Sequence, residues 1–280
     1  MLDLILDGII DTLKLMPYLC ITFIILEFLE HKMNKKNESI LKNSKKVGPI
    51  IGGVLGGLPQ CGFSAMASNL FSSKVITKGT LIAIFLSTSD EMLPIMVSKK
   101  VELSILLRII GFKVLIGIIV GLIIDIIFHH KEEKSIKEIT HLCEEEHCDC
   151  NNHGIIYSSI IHTLKISFFI LIVNILLNIL ISKIGEDNLS NILLNKNIWT
   201  YFLASFIGLI PNCASSVILT ELYLQNMITI GTLLAGLLTG SGIGLLVLFK
   251  TNKNFQENIK ILATIYLVGV ILGIIIDFII

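Results

Sequence analysis

The feature that most limits this chain is a series of apolar blocks, each near the length of helix that crosses a bilayer. They run from Leu15 to Leu29, then over roughly 47–71, 79–97, 102–128, 155–182, 198–222, 227–249 and 258–280. A hydrocarbon core about 30 Å thick takes about 20 residues of helix. Inside it, backbone polar groups must be satisfied within the segment. The expected fold is therefore all-α: a polytopic helical membrane protein whose main partner is the lipid bilayer. Composition agrees. Of 280 residues, 53% are hydrophobic and 16% charged, against about 25% charged in a soluble domain. A soluble enzyme, a nucleic-acid binder and a secreted disulfide scaffold are excluded, and no nucleic-acid partner is expected. Asp3, Asp7 and Asp11 precede the first block where a signal peptide would carry basic residues, so the block reads as a retained helix. The Lys-rich stretch 31–46 is expected on the cytoplasmic side.

The chain also repeats itself. Pro59-Gln60-Cys61 aligns with Pro211-Asn212-Cys213 at an offset of 152 residues. On that offset Gly56 meets Gly208, Ser64 meets Ser216, Ile76-Thr77 meets Ile228-Thr229, and Gly79-Thr80-Leu81 meets Gly231-Thr232-Leu233. Ser89 meets Ser241, and Gly117, Gly121 and Asp125 meet Gly269, Gly273 and Asp277. Chance pairs Ile with Leu in greasy sequences, but not Pro-x-Cys, Gly-Thr and Asp together. The expected organisation is a first transmembrane repeat over 1–128, a linker over 129–154 and a second repeat over 155–280. Internal repeats of this kind belong to transporters, whose sites form where interrupted helices of the two halves meet. If every block crosses, the repeats are parallel; if the blocks holding Pro59 and Pro211 are re-entrant hairpins, they are inverted. The Lys and Arg balance is the same for both arrangements.

Two constellations fall in the apolar blocks. Pro59 lacks an N–H, and with Gly62 it is expected to break its helix about halfway along. The freed backbone, with Gln60, Cys61 and Ser64, then offers a binding loop, which recurs as Asn212, Cys213 and Ser216. Ser87-Thr88-Ser89-Asp90-Glu91 lies inside the third block, and carboxylates in hydrocarbon mark ion or proton sites. Its partner Thr239-Gly240-Ser241-Gly242-Ile243 keeps hydroxyls, Ser241 among them, and has no acid, so the first half supplies the negative charge. Gly240 to Gly244 reads as a helix break or packing surface. Asp125 and Asp277 sit at matching helix ends and mark an interface rather than a ligand site.

The linker is different in kind. His141, Cys143, His147, Cys148, Cys150 and His153 crowd into an acidic stretch. Thiolate and imidazole together suit Zn²⁺ or a similar ion. Nothing in the repeat matches the linker, so it is expected to be an accessory capture site.

These motifs together resemble the ten-helix heavy-metal exporter family, also labelled arsenic efflux proteins or manganese transporters. The residues that carry the resemblance are Leu58-Pro59-Gln60-Cys61-Gly62-Phe63-Ser64, Ser87-Thr88-Ser89-Asp90-Glu91, Cys148-Asp149-Cys150 and Pro211-Asn212-Cys213. The resemblance implies five helical segments per half, hence inverted repeats, and it alone implies export. The ligand chemistry chooses among substrates. Trivalent arsenic wants three thiolates, whereas the core offers Cys61 and Cys213. Asp90, Glu91, the Gln60 and Asn212 amides, hydroxyls and freed carbonyls suit a hard dication such as Mn²⁺. The expectation is a secondary-active exporter of a divalent transition metal, first of all Mn²⁺, by proton antiport. It would sit in a bacterial cytoplasmic membrane and carry no resident cofactor. A homo-oligomer stays open. The alternatives are an arsenite exporter using Cys61 and Cys213, or a membrane metal sensor or channel. No P-loop pattern occurs, and no membrane block shows a metallo- or serine-hydrolase motif, so no ATP motor and no enzyme are expected.

Overall fold

The structure, a computed structural model, describes residues 38–57, 61–88, 92–132, 198–211 and 213–279, with single turns and isolated positions between 9 and 24 and between 157 and 175. The described residues contain no strand. The first half gives α1 (Glu38–Gly56), α2 (Cys61–Ser72), α3 (Lys78–Ser87), α4 (Met92–Ser98) and α5 (Leu103–Glu132). The second gives α6 (Trp199–Gly208), α7 (Cys213–Leu224), α8 (Ile230–Thr239), α9 (Gly244–Thr251) and α10 (Phe255–Ile279). The starts of α2, α3, α4 and α5 all recur 152 residues later in α7, α8, α9 and α10.

Burial sorts these helices into layers. Every residue from Gly79 to Ser87 in α3 and from Gly231 to Thr239 in α8 is buried. These two helices are apolar all round because they face protein all round. In contrast, the apolar stretches Leu103–Ile127 and Phe255–Ile279, each 25 residues long, are only 33% buried. Leu103, Leu107, Leu115, Ile119, Ile123 and Ile126 line an exposed face of α5. An unbroken apolar stripe on helices of about 37 Å is a lipid-facing surface. The chain is a multi-pass membrane protein.

In lipid, burial of apolar side chains gives little drive for helix association, so close backbone approach and interhelical hydrogen bonds must serve. Glycines provide the approach. A Cβ on Gly273 would fall 2.7 Å from Gly231 O and 2.6 Å from Ala235 Cβ, and one on Gly121 would fall 2.6 Å from Gly79 O. No side chain larger than hydrogen fits there. Carboxylates supply the bonds. Asp125 accepts from Thr77 Oγ1 at 2.6 Å and from Gly79 N at 2.8 Å. Asp277 repeats this with Thr229 Oγ1 and with Gly231 N at 2.8 Å, and adds Tyr201 OH at 2.8 Å. Thr77 and Thr229 in turn cap α3 and α8 by accepting from Thr80 N and Thr232 N. Both aspartates therefore satisfy the orphan N–H end of a central helix and its dipole. Their expected role as interface markers holds.

Helix direction settles what Pro59 and Pro211 do. Gly48 lies against Thr80, and Gly56 against Ser87 and Ile84, so α1 and α3 run the same way side by side. A chain that ends α1 beside the end of α3 and then starts α3 beside Gly48 must come back between them. Accordingly, α2 is the return limb of a helical hairpin, the reversal falling between Gly57 and Cys61. The same holds for α6 and α7. Tyr201 shares Asp277 with the start of α8, while Gly208 packs on Gly236 and Thr239 near its end. The expected mid-helix break is thus a reversal, and Gly62 lies inside α2 rather than at the break. By comparison, α3 and α4 do not reverse. The long α5 runs antiparallel beside α3, with Gly121 against Gly79 and Gly117 against Ala83 and Ser87. Its early residues Leu106 and Ile109 cluster with Met92 and Met96 of α4. So α3 and α4 run the same way, α3 ending at Ser87 and α4 starting at Met92, as α8 and α9 do on either side of 240–243.

The halves meet at matched places. The Ser68 Oγ on α2 donates to Gly244 O on α9 at 2.7 Å, and Ser72 bonds Thr251 at 2.7 Å. Lys78 at the start of α3 pairs with Glu257 at the start of α10 at 2.9 Å. Lys99, just after α4, pairs with Glu221 near the end of α7 at 3.1 Å. The α3 and α8 helices also touch each other.

Candidate functional site at the helix breaks

A helix of ten residues is about 15 Å long, half the bilayer core. The carboxyl ends of α3 and α8 lie close together, because Lys113 Nζ donates both to Thr88 O and to Leu237 O. Each is joined there by the rising limb of a hairpin, Gly56 beside Ser87 and Gly208 beside Thr239. The turn after α8 is tight. Gly240 N still bonds Gly236 O, but Ser241 N bonds Thr239 O at 3.0 Å instead of continuing the helix. Gly242 follows with φ 53°, a left-handed conformation that costs glycine nothing. The chain then re-enters helix at Gly244, with Ile243 as an N-cap that offers no side-chain acceptor. On the first-half side, α3 ends at Ser87, and Thr88 Oγ1 folds back onto Ile84 O at 2.7 Å.

Three candidate side chains have described surroundings. Ser64, on α2, is fully buried, and a Cβ on Gly244 would lie 2.7 Å from its own Cβ, so the hairpin limb is pressed against the start of α9. Ser216 is half-buried on α7, and its carbonyl accepts from Thr220 Oγ1 at 2.7 Å. Ser241 is 1% exposed, and its Oγ has no hydrogen-bond partner among the described residues. A buried hydroxyl without a partner costs roughly 1–3 kcal/mol, so Ser241 is the candidate whose surroundings most call for a ligand. Cys61 and Cys213 open α2 and α7 directly after the hairpin turns, their side chains lying outside the described residues. Gln60, Ser89, Asp90, Glu91 and Asn212 also lie outside them, as do His141, Cys143, His147, Cys148, Cys150 and His153. Among the described residues no cluster of three or more His, Cys, Asp or Glu occurs. What the structure brings together among the described residues is the carboxyl ends of α3 and α8, each beside a glycine that ends α1 or α6, with Ser64 of α2 against the start of α9.

One residue escaped the sequence reading. Lys113 on α5 is fully buried, and its Nζ donates to Leu237 O at 2.9 Å and to Thr88 O. The signal was present as a lone lysine in the middle of the apolar block 102–128. Ser68, also missed, ties a hairpin limb to the opposite half. Asn69, 2% exposed on α2, has neither amide atom bonded among the described residues.

No curated protein and no solved structure is significantly similar to the chain. A family model does match, over residues 2–187, and that span takes in the first hairpin, the first helix break, Lys113 and the Cys/His linker. On that match the chain belongs to the family described as "Putative, 10TM heavy-metal exporter".

Proposed function

We propose that the protein is a secondary-active carrier that exports a divalent transition-metal ion, Mn²⁺ first, across a bacterial cytoplasmic membrane in exchange for protons. It acts as a carrier, not an enzyme. One observation carries the reading: the carboxyl ends of α3 and α8 meet, with Gly56 beside one and Gly208 beside the other. Helix carboxyl ends expose carbonyls and the negative end of the dipole, which is where carriers of this construction hold cations. In sequence, Asp90 and Glu91 follow α3 and would add carboxylates there, Gln60 and Asn212 directly precede α2 and α7, and the Ser241 hydroxyl after α8 adds an oxygen. That oxygen-rich set fits Mn²⁺.

The end contacts support inverted repeats. Lys78 with Glu257 and Ser72 with Thr251 put the start of α3 on the face where α9 ends. Lys99 with Glu221 puts the end of α4 on the face where α8 starts. The two interrupted crossings then run in opposite directions, with the hairpins entering from opposite faces. In this arrangement the Lys-rich start of α1, Lys250, Lys253 and the exit from α5 into the linker share one face. By the positive-inside rule that face is cytoplasmic. The linker, an accessory Zn²⁺-type capture site, would then meet metal before export.

A second reading rests on Cys61 and Cys213, each the first residue of its helix. A helix amino end favours thiolate, and thiolates would suit arsenite. Counterflow in proteoliposomes with Mn²⁺, Zn²⁺, Cd²⁺, Fe²⁺ and arsenite separates the two. The carrier reading expects Mn²⁺ exchange that Asp90→Asn with Glu91→Gln abolishes. Arsenite exchange that survives both changes and fails in Cys61→Ser would replace it.

A further inference from the structure

Lys113 is a full positive charge between the two helix breaks, and nothing in the proposed carrier chemistry uses it. Burying an ammonium is costly unless it is paired and hydrogen-bonded. Two main-chain oxygens, Thr88 O and Leu237 O, are among its partners. Thr88 follows the last residue of α3, and Leu237 belongs to the last turn of α8. The turn at Ser241 releases the Leu237 carbonyl, because Ser241 N, which would bond it in a continued helix, bonds Thr239 O instead. A single ammonium therefore neutralises the negative ends of two helices, one from each half. The position 152 residues later is Ile265, buried and apolar, so the arrangement has one cation and not two.

A dehydrated metal ion arriving at the breaks would seek these same oxygens. We propose that Lys113 is the resident cation of the transport site, a tethered ammonium on the oxygen pair that the transported dication must take over. Loading then requires Lys113 to withdraw from Thr88 O or Leu237 O, and unloading is helped by its return. The inference rests on the reading above, that metal enters between the breaks. It also changes the charge ledger expected from the sequence. With Asp90 and Glu91 ionised, the empty site carries a net charge of −1 rather than −2, and a dication added beside an unmoved Lys113 brings it to +1. Repulsion between the two cations in a low-dielectric core weakens binding. A carrier that must release its metal gains from that weakening.

The test uses the full chain in nanodiscs, titrated calorimetrically with Mn²⁺ and with Cd²⁺, as wild type, Lys113→Gln, Lys113→Arg and Asp90→Asn/Glu91→Gln. Glutamine keeps an N–H donor for a carbonyl and removes the charge. The expected result is Mn²⁺ binding about tenfold tighter or more in Lys113→Gln, with Lys113→Arg remaining at least about tenfold weaker than Lys113→Gln. A purely structural lysine would give equal or weaker binding in Lys113→Gln, and that result overturns the proposal. Should Lys113→Gln fail to fold, acetylation of Lys113 by acetic anhydride in wild type, read by mass spectrometry, decides instead. Mn²⁺ should raise it, and an unchanged or lowered yield refutes displacement. Binding lost in the double acid variant but unaltered in Lys113→Gln removes Lys113 and leaves the site. No binding of either ion to wild type removes both.

Discussion

Asp277 carries a stability that can be worked from its contacts. It accepts from Gly231 N and Tyr201 OH, both at 2.8 Å, and from Thr229 Oγ1. Hydrogen bonds to a charged acceptor are worth about 1.5–3 kcal/mol and neutral ones about 1. Asp277→Asn keeps an acceptor for Gly231 N–H while making all three bonds neutral. The half-buried setting places the expected loss at about 2–3 kcal/mol, including the weakened dipole interaction at the start of α8. Tyr201→Phe removes one bond and should cost about 1.5 kcal/mol alone. In the Asp277→Asn background it should cost roughly 0.5 kcal/mol, so the cycle yields a coupling of about 1 kcal/mol. Reversible unfolding of the purified chain in mixed micelles, followed by circular dichroism, measures all four corners. Strict additivity of the two changes, or an Asp277→Asn protein as stable as wild type, would refute the account of α8 being anchored through its amino end.

Three further outcomes are expected. Lys100 adopts φ 56° after α4, so Lys100→Gly should stabilise by about 0.5–1 kcal/mol in the same unfolding assay. Single cysteines at Lys74 and Asn226, which follow α2 and α7 and stand 152 residues apart, should react with an impermeant maleimide from opposite faces of sealed vesicles in a cysteine-free chain. Labelling of both from one face would mean parallel repeats. Deleting 131–150 should change the metal concentration dependence of flux and leave flux measurable in the same vesicles, and its complete loss in an inserted protein would make the linker part of the carrier core.

Much of this was legible because glycine, proline and aspartate have few alternative uses in lipid. Gly79 with Gly231, Gly121 with Gly273 and Asp125 with Asp277 could be aligned before any contact was known. Chain direction was not legible. A proline between two apolar stretches reads the same whether the helix kinks or turns back, since hydropathy carries no sign of direction. Only the parallel run of α1 and α3 settles that α2 returns. The break at 240–243 was visible in its glycines, whereas the end of α3 at Ser87 was not, because the acids that follow read as part of a continuous segment. Lys113 was overlooked for a physical reason. A lysine's long stem can carry its ammonium toward water, and sequence alone does not say that this one is walled in by two helix ends.

The paired clasps have a mechanical consequence. Thr77 with Asp125 and Thr229 with Asp277 join residues 48 apart, and neither bond leaves its own half. Each half therefore carries its own bracing, which fastens an interrupted crossing to the long lipid-facing helix behind it. The described bonds across the seam are of another sort: Ser68 and Lys113 to backbone oxygens, Ser72 to a threonine, and ion pairs at the two rims. Those can be exchanged one at a time as one braced frame rocks on the other. A rocking motion would open one rim by parting Lys78 from Glu257 and the other by parting Lys99 from Glu221, leaving the frames themselves undeformed.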